Sequence, residues 1–259
     1  MSDELAVKPD APLAKASDMD AMFGNQGYQM PVDAPIPEIK ILREVAQFEM
    51  PSGNLVKETI GNILHWHNAN QYWITSFDDR GPDDSPMPNC LSSDGIAPDD
   101  IDSEGYAKQC NNCKECNMNQ YGSATNGDGK ACQNTIRMYV LLDGEVVPCL
   151  LKAPPSSLGK KESLMPFLTN IPNICTKEGT AYQCLRIKFS LYKKEFGSGM
   201  SASLIKMELE SIVEDQAEIK KLADVTKTFR EAYLGKVAEH MAVEADVAVG
   251  QDEGDDVPY

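Results

Sequence analysis

Histidine and tryptophan are scarce in this chain, at three and two residues, and aromatic rings make up only 7% of it. Positive charge is short as well: 24 Lys and Arg face 40 Asp and Glu, for a net charge of −16. A uniformly acidic surface repels a polyanion, so the overall balance argues against nucleic acid. Long apolar runs are missing, and none approaches the roughly 20 residues that span a bilayer. The stretch "MSDELAVKPDAPLAKASDMDAM" has neither a cationic start nor a continuous apolar core, so it does not read as a secretory signal. These absences point to a reducing cytoplasm and no membrane partner. Eight cysteines there read as thiols or metal ligands rather than disulfides. Internal repeats are absent. So is a phosphate loop: in "GSATNGDGKAC", Ala124 stands where a Walker motif needs glycine, and Ala131 stands where it needs a hydroxyl.

What is present is uneven. Residues 151–200 hold 8 basic and 3 acidic side chains, a local charge of +5 inside an acidic chain. Residues 1–36, rich in Pro, Asp, Ala and Met and without periodicity, read as a disordered leader. β-rich segments begin at "EIKILREVAQFEM", and "QYWITSF" (71–77) and "TIRMYVLL" (135–142) have the β-branched and aromatic content of strands. "AYQCLRIKFSLYKKEF" (181–196), followed across "GSG" by "MSASLIKMELESI", reads as a hairpin. "SLMPFLTNI" reads as a helix of a turn or two, limited by Pro166. Helical spacing of Ile219, Leu222, Val225 and Phe229 marks a helix within 213–237, and an acidic, unfolded tail follows over 238–259. The expected architecture is mainly β (α+β): a small five-stranded barrel over 37–237, a loop inserted at 90–132 and a closing C-terminal helix.

That loop carries Cys90, Cys110, Cys113, Cys116 and Cys132 within 43 residues of almost no apolar content. Such a segment cannot fold by burying a core, and tetrahedral zinc would hold it. Cys113-x2-Cys116 forms a knuckle, with Cys90 and Cys132 as a distant pair, although Cys110 leaves the register open. A four-thiolate iron–sulfur cluster is the other chemical option, without the proline-bearing ferredoxin run in its favour. His65 or His67 is a further candidate ligand. No thioredoxin-like βαβ pattern surrounds the knuckle to suggest redox catalysis. Cys149, Cys175 and Cys184 fall in apolar contexts and read as core thiols.

Read with a period of two, "YQCLRIKFSLYK" places Leu185, Ile187, Phe189 and Leu191 on one face and Tyr182, Arg186, Lys188, Tyr192 and Lys194 on the other. Alternating cations and rings on a sheet face is how single-stranded nucleic acid is held, with cations on phosphates and rings under bases. Arg137 and Tyr139 share a face of the preceding strand, and Trp73 and Lys152 complete the expected binding set.

The tail "DEGDDVPY" resembles the end of bacterial and phage single-stranded DNA-binding proteins: acids, then an apolar residue, Pro and a terminal aromatic. The cysteine loop resembles the one that interrupts an oligonucleotide-binding (OB) barrel in phage and mobile-element members of that family. The resemblance implies sequence-independent binding of single-stranded DNA in a bacterial host cytoplasm, without enzymatic activity. It also implies structural Zn²⁺ on Cys90, Cys113, Cys116 and Cys132. Asp255, Asp256, Val257, Pro258 and Tyr259 would then dock on replication and recombination proteins. Two alternatives come from other classes. One is a metal-dependent enzyme of nucleic-acid metabolism using acids such as Asp78, Asp79, Asp83, Asp84, Asp94, Asp99 and Asp100. The other is a zinc-stapled adaptor that binds only proteins.

Overall fold

A computed structural model describes residues 36–42, 45–75, 87–103, 105–125, 128–159, 164–195 and 201–233. They belong to the second of two units, Pro35–Tyr259. The leader, except Ile36, and the tail lie outside the described residues. Among these, no helix is long and apolar enough to cross a membrane.

The unit is mainly β, a curled sheet with two helices. Its strands are β1 (Glu38–Leu42), β2 (Gln47–Glu49), β3 (Leu55–Val56), β4 (Glu58–Tyr72), β5 (Cys90–Ser92), β6 (Cys132–Leu142), β7 (Cys149–Ala153), β8 (Leu185–Glu195) and β9 (Ser201–Ile212). They line up as β3-β2-β1-β7-β6-β4-β8-β9, with β5 paired to the end of β4. Among the described residues, only the β1–β7 pair is parallel. The expected closed five-stranded barrel is not what forms. β3 and β9 stand at opposite ends of the strand order, and no pairing joins them among the described residues. The cause is β4: at 15 residues it is long enough to pair with β6, β8 and β5, so the sheet extends sideways instead of closing.

The main core lies on one face. Ile63, Met138, Val140, Leu151, Leu185, Ile187, Phe189 and Ile205 meet helix α1 (Met165–Glu178) through its Leu168 and Ile171. The apolar stripe read from β8 is this core, with Leu191 half-buried at its edge. Helix α1 is longer than the turn or two expected. Pro166 falls in its first turn, where a missing N–H costs nothing because that donor has no helical partner anyway. Gly179, at φ +64°, ends it, donating its N–H to Cys175 O.

Leu64 alternates with Ile63 onto the opposite face, and a register shift between Ile63 and His65 brings His65 and His67 to that face as well. There Leu64, Leu141, Cys184 and Val213 form a second core under helix α2 (Gln216–Tyr233) through Leu222, with Ile219 and Val225 packed against it. The helix lies within the segment read as helical. Asp215 Oδ1 opens it, accepting from the N–H groups of Ala217 at 3.0 Å and Glu218 at 2.9 Å. The strand expected at 71–77 instead ends at Tyr72, because its pairing partners β5 and β6 begin at Cys90 and Cys132, directly opposite that residue.

Candidate nucleic-acid interface and cysteine cavity

Residues in register on neighbouring strands share a face. His67 of β4 stands opposite Arg137 of β6, which stands opposite Lys152 of β7, so three nitrogen-bearing groups cross the sheet in one row. His65 stands opposite Tyr139 in the next row, and Asn62, opposite both Leu141 and Arg186, carries the same face over to β8. Lys188, two residues along, belongs to it too, opposite Ile60. The expected cations of β6, β7 and β8 are thus brought to one face.

Rings form a ladder on that face. His65 and His67 stack at 5.7 Å, His67 and Tyr139 at 5.8 Å, and His65 and Tyr139 at 6.2 Å. The composition gave little hint of this, because a histidine flanked by Trp and Asn carries no sequence signal for stacking. Burial lowers the pKa of His65 to about 4, helped by the charges of His67 and Arg230. Burial likewise lowers that of His67. Both imidazoles are therefore neutral near pH 7.

Helix α2 crosses the middle of this face. Phe229 lies 4.6 Å from the Tyr139 ring and stacks on Tyr233 at 5.3 Å. Tyr139 and Arg137 are accordingly 4% and 3% exposed: they form the floor, not the rim. The cations nearer solvent are engaged by acids. Lys152 pairs with Glu38 at 3.0 Å, Arg186 with Asp143, and Lys188 approaches Glu58 at 3.9 Å. Tyr182 departs from the period-two reading. It lies in a 3₁₀ turn, Tyr182–Cys184, ahead of β8. Its hydroxyl donates to Leu64 O at 3.0 Å, and its ring meets Trp66 edge-on at 4.8 Å. Tyr192 and Lys194 continue β8 beyond its pairing with β4, opposite Leu204 and Ala202 of β9. Trp73 follows β4, half-buried. Asp255, Asp256, Val257, Pro258 and Tyr259 lie outside the described residues.

At the far end of β4, Tyr72 pairs with Cys90 on one side and Cys132 on the other. Their Cα atoms are thus two strand spacings apart, about 9.5 Å, with both side chains on one face. The loop folds back over Tyr72. Cys113 N donates to Ile96 O at 2.8 Å, Asn119 Nδ2 to Cys113 O at 2.7 Å, and Gln120 Nε2 to Cys116 O at 3.2 Å. Cys90, Cys110, Cys113, Cys116 and Cys132 consequently line one cavity of ≈ 10 Å³, room for a single atom. Among the described residues no three His, Cys, Asp or Glu side chains are arranged as a metal-holding group, so the convergence stops at a shared lining. Burial, followed by the charges of Cys113, Cys116 and Cys90, pushes the Cys132 thiol up to about 12. Cys110 also reaches about 12, through burial and then its hydrogen bond with Cys116.

The loop has slightly more core than its composition promised. Leu91 is fully buried with Ala69 against Ile101 and Tyr106, whose hydroxyl donates to Asp99 O at 2.7 Å. Of the acids weighed as magnesium ligands, Asp94 and Asp99 hold turns and Asp100 forms an exposed ion pair. Asp94 Oδ1 accepts from Ile96 N at 2.7 Å and Ser92 Oγ at 3.1 Å, Asp99 accepts from Ser93 N at 3.0 Å, and Asp100 pairs with Lys108. Asp78, Asp79, Asp83 and Asp84 lie outside the described residues. Cys149 and Cys184 are core thiols as expected, and Cys175 is half-buried.

No protein-family model, curated protein or solved structure matches this chain.

Proposed function

We propose that this chain is a non-enzymatic, sequence-independent single-stranded DNA-binding protein. The single observation that carries the reading is the shared face of β4, β6, β7 and β8. It places Lys152, Arg137, Arg186 and Lys188 around the His65–His67–Tyr139 rings, although these residues are far apart in sequence. Backbone phosphates would exchange with the carboxylates of Glu38, Asp143 and Glu58, and bases would lie against the half-buried imidazoles. Sequence independence follows from binding through phosphates and ring faces rather than base edges.

Zinc is the second part of the proposal. Four cysteines from β5, the loop and β6 converge on a cavity of atomic size, a donor set of thiolates suited to a structural site. When bound, the ion would tie the loop to the end of β4, with Cys90, Cys113, Cys116 and Cys132 as ligands. The acidic segment ending in Val257, Pro258 and Tyr259 would recruit replication or recombination proteins, acids steering it to basic pockets and the apolar residues anchoring it.

A titration of oligo-dT against duplex across a range of salt tests the reading. Oligo-dT should bind more tightly, with affinity falling as salt rises. Replacing Arg186 and Lys188 with Gln should weaken every single strand alike and flatten the salt slope by about 0.7 for each phosphate no longer neutralised. Removing the Tyr192 ring should cost affinity with little change in slope. No oligo-dT binding by the parent protein would leave a protein-binding adaptor in its place.

A further inference from the structure

A larger cavity, ≈ 490 Å³, opens between α2 and the Tyr182–Cys184 turn. That size falls within the roughly 300–1,000 Å³ of small-molecule sites. Cys184, Ile219, Leu222 and Ala223 supply apolar walls, and Gln183 contributes an amide. Thr226 also lines it. This residue is 7% exposed, yet its Oγ1 has no hydrogen-bond partner. A buried hydroxyl left unpaired is costly and rare, and a ligand edge presented from the cavity would satisfy it. Lys227, Arg230 and Glu231 line the cavity on the same helix, Lys227 standing 3.9 Å from Glu231. Arg230 Nη2 donates to the Tyr182 hydroxyl at 3.2 Å, and that hydroxyl donates in turn to Leu64 O of β4. The cavity is therefore joined through two hydrogen bonds to the residue beside His65.

We propose that this cavity receives one unstacked nucleobase of a bound single strand. The base edge would lie toward Thr226 and Gln183, and its phosphate toward Arg230 and Lys227. The inference rests on the single-strand reading above and gives it a fixed point. An apolar slot with two hydrogen-bonding groups suits a flat heterocycle, and cations beside it suit the attached phosphate. Glu231 is the opposing feature, since its carboxylate holds Lys227 and repels phosphate. That makes the proposal directional: ligands with and without a phosphate should respond differently to loss of Glu231.

The probes are thymidine and its 5′-monophosphate, dTMP, titrated into the full chain at millimolar concentration and followed by NMR and calorimetry. dTMP should bind the parent. Ala223→Phe, at an exposed helical position lining the cavity, should abolish this binding, and Thr226→Val should weaken it several-fold. Glu231→Gln should tighten dTMP several-fold and leave thymidine unchanged. Thermal melts of each variant report whether it is folded, and Thr226→Val preserves side-chain volume should Ala223→Phe fail to fold. Absence of dTMP binding, or equal binding by folded Ala223→Phe, overturns the proposal. Equal tightening of thymidine and dTMP by Glu231→Gln overturns the phosphate placement. The two readings fail separately. Oligo-dT bound without dTMP leaves the single-strand reading and removes the cavity, while dTMP bound without oligo-dT does the reverse.

Discussion

His65 meets His67 at 5.7 Å, and burial, followed by the charges of His67 and Arg230, lowers its pKa from 6.5 to about 4. Between those two values the unfolded chain takes up a proton that the folded chain refuses. The stability due to neutral His65 is therefore fully present above pH 6.5 and is lost as pH falls through about 4. His67 shifts in the same direction, burial again leading. Urea midpoints of the parent should fall across this window, and His65→Gln, which cannot titrate, should fall less. Equal losses in the two proteins would remove His65 as the source. Gly61 makes a second prediction at this scale. A Cβ there would stand 2.6 Å from Leu141 O and 2.8 Å from Val140 Cγ1. Gly61→Ala should destabilise by about 1–3 kcal/mol through overpacking between β4 and β6, measured by urea unfolding.

At the scale of elements, the cysteine loop depends on two strands presenting Cys90 and Cys132 across Tyr72 while the knuckle folds over them. Protein purified without added metal should carry about one zinc per chain. Cys113→Ser should lose it and loosen the loop, seen as faster amide exchange over 90–132. Full metal retention in that variant would exclude this register, and visible absorbance with iron would point to a cluster. The cysteine grouping was readable because thiols dense in a polar stretch have few other uses. The β8–β9 hairpin and α2 were readable because each buries a stripe at its own period, and β6 because its β-branched and aromatic content suits a strand buried on both faces. β4 was not. Gly61, Asn62, His65, His67 and Asn70 are poor strand formers, and the strand exists because long-range partners satisfy them. Asn62 Nδ2, for example, donates to Gln183 O at 2.9 Å and Leu185 O at 3.2 Å. For the same reason the sheet face was only half legible. Period two placed Arg186 and Lys188 correctly, but nothing local shows that α2 will lie over Tyr139, or that Tyr182 will leave the strand for a turn.

Over the whole molecule, a charge of −16 coexists with a +5 block that supplies Arg186 and Lys188 to the sheet face. Binding a polyanion then depends on where the acids are. Residues 239–259 hold seven of them and no Lys or Arg, tethered to the same chain as those cations. On the proposed function, such a segment would compete with DNA for the cationic face at high effective concentration, the more so at low salt, where screening is weak. Deleting 250–259 should leave affinity for oligo-dT unchanged at high salt and tighten it at low salt. The same deletion should abolish capture of a replication or recombination partner. Tyr259→Ala separates the two effects, because it removes an anchoring ring but no side-chain charge. It should lose the partner while the DNA titration stays that of the parent at every salt concentration. Pull-downs from host lysate with the full chain, the deletion and the point variant, run beside the titrations, decide it. Identical partner sets from all three would reduce the acidic segment to an electrostatic brake on DNA binding, and a deletion without effect at low salt would remove that role as well.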